Sequence, residues 1–250
     1  MVSSINSCTF AVEIHETMKQ EINPKETSRA YAFEMWMKSS MPMVTLMKTF
    51  DVSRLVRVRK QSGLKFKAAS KREQSDARIS SAEHEQSRMK FNMLMCWCIG
   101  KAASQVKEFY TLPENGKLFR YDRLAINVIV GNCKGGISWC DIPFSDDLQQ
   151  FNHDYLELTV KTAKECKNSS LDDYMVIGTS AVVQTELDCI VNQYNGIYNN
   201  PFLVWGKYRK GLFKTTLPVS FQFHHVQMDG AQAACFLDGL QKAIKTLPLK

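Results

Sequence analysis

No apolar run in this chain is long enough to span a bilayer, and no basic-then-apolar leader ending in a small-residue cleavage site is visible. A soluble, cytoplasmic protein without membrane partners is therefore expected. The eight cysteines include no Cys-x-x-Cys pair, and Cys96-x-Cys98 would straddle a helix poorly for zinc. Most cysteines lie inside apolar segments, which predicts free buried thiols and no metal site. There is no internal repeat. There is also no long basic block interleaved with aromatics, although the net charge is +7. A dispersed surplus of this kind argues against a nucleic-acid partner. A solvated surface competes with a polyanionic partner, whether a phosphorylated cofactor, a membrane surface or, ranked last, nucleic acid.

What is present is an ordinary globular profile. The 250 residues are 44% hydrophobic and 23% charged, enough for one domain with one large core over residues 1–250. One stretch, about 67–89, breaks the pattern with five serines, nine charges of mixed sign and no aromatic residue. It reads as a surface insertion, disordered or a loose solvated helix.

Weak strand character occupies Thr9–Ile14. Asn23-Pro24-Lys25-Glu26 reads as a capped helix start, with the helix running to about Lys38. Val44–Phe50 is strand-like, and Asp51 caps a short helix that Gly63 is expected to end. A core helix follows over Phe91–Phe109, then strands at Leu118–Tyr121, Leu124–Val130 and Ile137–Ile142, the last two joined by a Gly135-Gly136 turn. Ser145 is expected to cap a helix running to about Lys167. Tyr174–Val183 and Phe202–Tyr208 read as strands, and the final strand Leu212–Phe223 leads into a helix from Ala233 to Leu247. Strands outnumber helices without strict alternation, so the fold class is α+β: a mixed sheet with helices packed on it.

The focal stretch is Phe223-His224-His225-Val226-Gln227-Met228-Asp229-Gly230, at the junction of that strand and helix. A junction of this kind anchors a side chain on sheet backbone while its tip reaches a ligand. Histidine accepts and returns protons near neutral pH. The spacing therefore points to catalysis rather than to packing.

With these residues in view, the chain resembles the chloramphenicol acetyltransferase family, whose signature is His-His-x-x-x-Asp-Gly. Ser180-Ala181 matches its active-site Ser-Ala, Arg29 and Phe33-Glu34 its N-terminal Arg and Phe-Glu, and Pro201–Tyr208 its strand ending in Lys-Tyr. Asp51-Val52-Ser53 is similar to its Asp-Ile-Thr helix start. The resemblance implies a two-layer α/β sandwich with a mixed sheet and a homotrimer with interface active sites. The implied activity is O-acetylation of chloramphenicol, conferring antibiotic resistance, with acetyl-CoA as donor. It implies His225 as general base, Ser180 as donor to the oxyanion, and Arg29–Asp229 as a structural ion pair. Lys207 and Tyr208 would line the coenzyme site. Trp36 and Val204 would touch the acceptor, with His225 of one copy facing Trp36 of another. Departures fall on the acceptor side: Trp36 replaces a Tyr, Val204 a Thr and Gln184 a Trp, and the Leu124–Ile142 hairpin differs. The same base acting on another hydroxylated small molecule, or on a carrier-bound acyl group, is the alternative.

Overall fold

The computed structural model describes residues 19–73 and 89–248. Its strands are β1 (Gln20–Ile22), β2 (Met43–Asp51), β3 (Thr111–Glu114), β4 (Lys117–Arg120), β5 (Leu124–Gly131), β6 (Ile137–Pro143), β7 (Met175–Ala181), β8 (Phe202–Trp205), β9 (Arg209–Lys210) and β10 (Thr215–His224). Its helices are α1 (Ala30–Trp36), α2 (Ser53–Glu73), α3 (Phe91–Ala103), α4 (Leu148–Glu165) and α5 (Gly230–Thr246).

Strand β10 shows how the sequence builds the larger sheet. Leu217, Val219, Phe221 and Phe223 recur with period two and are all buried. Pro218, Ser220, Gln222 and His224 occupy the opposite face. β10 pairs antiparallel with β2 on one side and with β8 on the other. β8 and β7 are parallel, as are β7 and β5, while β5 and β6 form an antiparallel hairpin. The order β2-β10-β8-β7-β5-β6, with β9 against β10, makes the mixed sheet that the sequence predicts. A smaller sheet of order β1-β4-β3 stands apart from it.

Helices fill one side. α3 is buried almost all round, from Met93 to Gly100, which suits a helix pressed between α5 and the sheet. The Phe236 ring of α5 lies 4.7 Å from both Phe109 and Phe221, tying helix, turn and sheet into one core.

Several boundaries differ from the sequence reading. The helix expected from Asn23 is only a 3-10 turn, Pro24–Glu26. Thr27 then adopts extended backbone, and α1 starts at Ala30. Gly63 does not end α2, which continues to Glu73. A glycine inside a helix costs only about 1 kcal/mol, and the Lys- and Ala-rich segment after it favours continuation. The charged segment therefore begins inside a helix. Residues 74–88 lie outside the described residues, and so does the strand expected at Thr9–Ile14. The expected end of the charged segment, Met89, is instead buried in the core.

The Phe91 helix stops at Ala103, and Lys107–Tyr110 forms a separate 3-10 turn. α4 is capped by Asp147, whose carboxylate accepts from the N–H groups of Gln149 (2.7 Å) and Gln150 (3.4 Å). Ser145 lies two residues too early and accepts from the Asp147 N–H instead. The expectation of buried thiols holds for Cys96, Cys98 and Cys140, but Cys133, Cys189 and Cys235 are exposed and Cys166 is half-buried. Among the described residues no helix is long and apolar enough to cross a membrane.

Gly178 of β7 sits beneath the Phe202 ring of β8, its register partner; a Cβ there would meet the ring at 2.1 Å. Gly178→Ala is expected to cost about 1–3 kcal/mol by overpacking, read by urea unfolding. Adding Phe202→Ala should recover part of that loss. An unchanged midpoint in Gly178→Ala would contradict this packing.

Candidate active site

The turn after β10 is held by a buried guanidinium. Arg29, only 6% exposed, donates to both carboxylate oxygens of Asp229 at 2.6 and 2.9 Å. It also donates to the backbone carbonyls of His225 (2.7 Å) and Val226 (2.8 Å). A planar fork of donors suits this task, since an ammonium cannot reach four acceptors in one plane. The same interaction holds the Asp229 carboxyl below the usual carboxylate range, chiefly through the Arg29 hydrogen bond. Asp229 also caps α5, with Gln232 Oε1 accepting from its backbone N–H at 3.1 Å.

His225 is fixed from three directions. Its backbone N–H donates to Pro42 O at 2.8 Å. Its ring stacks on Trp36 with centroids 4.6 Å apart and planes 10° from parallel. Nδ1 is buried 3.2 Å from Asp229 Oδ1, off line for a hydrogen bond but close to the negative charge. With Nδ1 enclosed, Nε2 is the ring nitrogen left to meet a ligand. Trp36, expected to face His225 across an interface between copies, thus lies on the His225 of its own chain. The reason is local: Arg29 at the head of α1 grips the turn, so the helix brings its last residue onto the imidazole.

His224 points the other way. It is buried, and its Nδ1 accepts from the Val226 N–H at 3.1 Å. Burial, helped by neighbouring His225, pushes it down to about 4.

Ser180 is elsewhere. It sits near the end of β7, opposite Val204 of β8, which is opposite Ser220 of β10. His225 lies five positions beyond Ser220, a rise of about 16 Å along the strand. A single chain therefore does not bring Ser180 to His225. Ser180 and Val204 share one face of the sheet and stand between two cavities that the same strands run through.

One cavity, of about 450 Å³, is lined by Val183, Gly206, Lys207 and Tyr208 past the strand ends, with Arg59, Lys90 and Phe91 from the helices. Tyr208 packs against Phe91, centroids 5.1 Å apart. Three cations beside aromatic faces suit a phosphorylated, base-bearing ligand. Gly206 permits this bend, since a Cβ would meet Thr185 O at 2.8 Å. Arg59, Lys90 and Phe91 were not singled out from the sequence. Nothing in their spacing marks them, because two helices bring them together.

The other cavity, of about 730 Å³, is lined at the opposite ends of the same strands by Val176 and Phe202, with Asn127, Ile129, Trp139 and Asp141 from the hairpin. Asn127 Nδ2 donates to Asp141 at 2.7 Å, and the Leu171 N–H donates to its other oxygen at 3.0 Å. Burial holds the Asp141 carboxyl above the usual range.

The chain belongs to the chloramphenicol acetyltransferase family, whose model matches residues 29–241. It is similar in fold to a solved chloramphenicol acetyltransferase, with 16% identity and a TM-score of 0.68, covering 91% of this chain and 100% of that one. The Azotobacter vinelandii dihydrolipoamide acetyltransferase is 17% identical, TM-score 0.60, covering 98% of each chain. A probable dihydrolipoamide acetyltransferase from Listeria monocytogenes is 13% identical, TM-score 0.61, covering 92% and 97%. No curated protein matches the chain in sequence.

The buried neutral His224 gives folding a pH dependence. Its contribution is fully present above about pH 6.5, where the unfolded imidazole is also neutral, and is lost as pH falls through about 4. The loss is at most about 3 kcal/mol. Denaturant titrations from pH 7 to 4 should show a shallower decline in His224→Gln than in the parent chain. Parallel declines would remove His224 as the source.

Proposed function

We propose that the chain is an acetyl-CoA-dependent O-acetyltransferase acting on a small hydroxylated acceptor, with chloramphenicol as the first candidate. The observation that carries this reading is the clamped His225, whose Nε2 is aimed outward by Asp229, Trp36 and the Arg29-held backbone. Nε2 takes the acceptor's hydroxyl proton as its oxygen attacks the thioester carbonyl. Such base catalysis is worth roughly 10²–10⁴ in rate, because a neutral hydroxyl is a poor nucleophile. Ser180 donates to the tetrahedral oxyanion. Collapse expels the coenzyme thiolate, which takes the proton back from the imidazolium. Lys207, with Arg59 and Lys90, would meet the coenzyme's phosphates, and Tyr208 its adenine.

Because Ser180 and His225 are far apart in one chain, the complete site needs a second copy, and we propose the homotrimer that the family resemblance implies. Exposed Tyr31, Met35, Met41 and Met47, on and after the segment that carries Trp36, support a covered face there. Val204 is buried and lines neither cavity, but the Asn127–Asp141 pair puts polar groups in the wall of the larger cavity; with the acceptor there, they favour as the second reading an acceptor other than chloramphenicol: another hydroxylated small molecule, or a carrier-bound group.

Thiol release from acetyl-CoA with chloramphenicol tests the reaction. It should fall by about 10²–10⁴ in His225→Ala and about 10²–10³ in Ser180→Ala. Release that survives His225→Ala would end the proposal. His225-dependent release only with other alcohols would favour the second reading. Co-expressing the two variants tests the shared site: mixed assemblies should regain activity that neither variant has alone. No recovery would place both groups in one chain's site.

A further inference from the structure

The β5–β6 turn and the end of α4 bring two thiols together that the proposed reaction does not use. Cys133 Sγ lies 3.0 Å from Cys166 Sγ, although 33 residues separate them. Both backbones are anchored: the Cys133 N–H donates to Ala163 O at 3.0 Å, and the Cys166 N–H donates to Thr162 O at 3.0 Å. Cys166 occupies the left-handed cap of α4 at φ 54°, which turns its side chain off the helix toward the hairpin. Cys133 is exposed and Cys166 half-buried, so a reagent in solution can reach the pair. A disulfide needs sulfurs about 2.05 Å apart, so a displacement of about 1 Å would close the bond.

We propose that Cys133 and Cys166 form a thiol–disulfide exchange site that reacts with low-molecular-weight disulfides and closes into an intramolecular bond. The two thiols are not equivalent. The two sulfurs share one hydrogen bond that either thiol can donate, and Cys133 Sγ also lies 3.3 Å from Lys164 O, an alternative acceptor for its proton. The hydrogen bond between the sulfurs, with the backbone N–H groups of Lys134 and Cys133 and the Lys134 ammonium, holds the Cys166 thiol below its ordinary value, while Cys133 is pushed up. Cys166 is therefore the attacking thiolate. It displaces one thiolate from the external disulfide and forms a mixed disulfide. Cys133 then loses its proton and attacks the Cys166 sulfur, expelling the second external thiolate. Two protein thiols are oxidised, one external disulfide is reduced, and both protons end on the two released thiols. The bond ties the tip of the hairpin that carries Trp139 and Asp141 to α4. The proposal does not depend on the acetyl-transfer reading.

The test uses the full chain, reduced and then exposed to glutathione disulfide without oxygen, followed by peptide mapping. A cross-linked Cys133–Cys166 peptide, two hydrogens lighter, is expected, with no glutathione retained at either position. Cys133→Ser should trap a glutathione adduct on Cys166, because the resolving thiol is gone. Cys166→Ser should react at Cys133 at least tenfold more slowly. A parent chain that keeps both thiols free while Cys189 or Cys235 reacts would overturn the proposal. So would a persistent mixed disulfide at Cys166 in the parent chain.

Discussion

A single buried cation, the Arg29 guanidinium, sets the geometry at the end of β10. It takes two carboxylate oxygens and two backbone carbonyls into one fork, linking α1, the His225 turn and the cap of α5. Burying a guanidinium without partners would be costly, so the surrounding chain is constrained to supply them. The turn adopts the one shape in which two carbonyls and a carboxylate converge. That shape orients the imidazole. Where Arg29 goes, Trp36 follows, because Arg29 heads the seven-residue helix α1 that Trp36 ends.

The sequence carried the fold class and half the site well. Alternation along β10 and the strand-to-helix junction were readable because they rest on short-range periodicity, whereas the pairing of Arg29 with Asp229, so distant in sequence, was implied only by the family resemblance. What was not readable rests on tertiary context. Gly63 looked like a stop, but helix propensity on both sides outweighed it. Met89 read as the end of a polar segment, yet it is buried because α3 starts two residues later against the core. Ser145 and Asp147 are both good caps, and only the register of α4 chose between them. The placement of Trp36 on its own chain's histidine could not be read from spacing, since it depends on the angle at which α1 meets the β10 turn.

The remaining site residues divide by the strand that carries them. Ser180 and Val204 belong to the middle of the sheet, where β7 and β8 run parallel, and each of these strands passes from one cavity to the other. The larger cavity draws polar walls, Asn127 and Asp141, from the β5–β6 hairpin. The His225 turn is built by different elements altogether. Changes in the hairpin can therefore reshape what is bound without touching the clamp that aims His225.

The stack of Trp36 on His225 has an energetic meaning beyond contact. An imidazole free to rotate about its Cβ–Cγ bond would present either nitrogen, and each turnover would have to select one. With the indole against one face and Asp229 beside Nδ1, that rotation is already suppressed in the folded chain. The ordering is accomplished once, during folding, so the proposed reaction draws on a favourable activation entropy rather than on extra contacts made as each acceptor arrives.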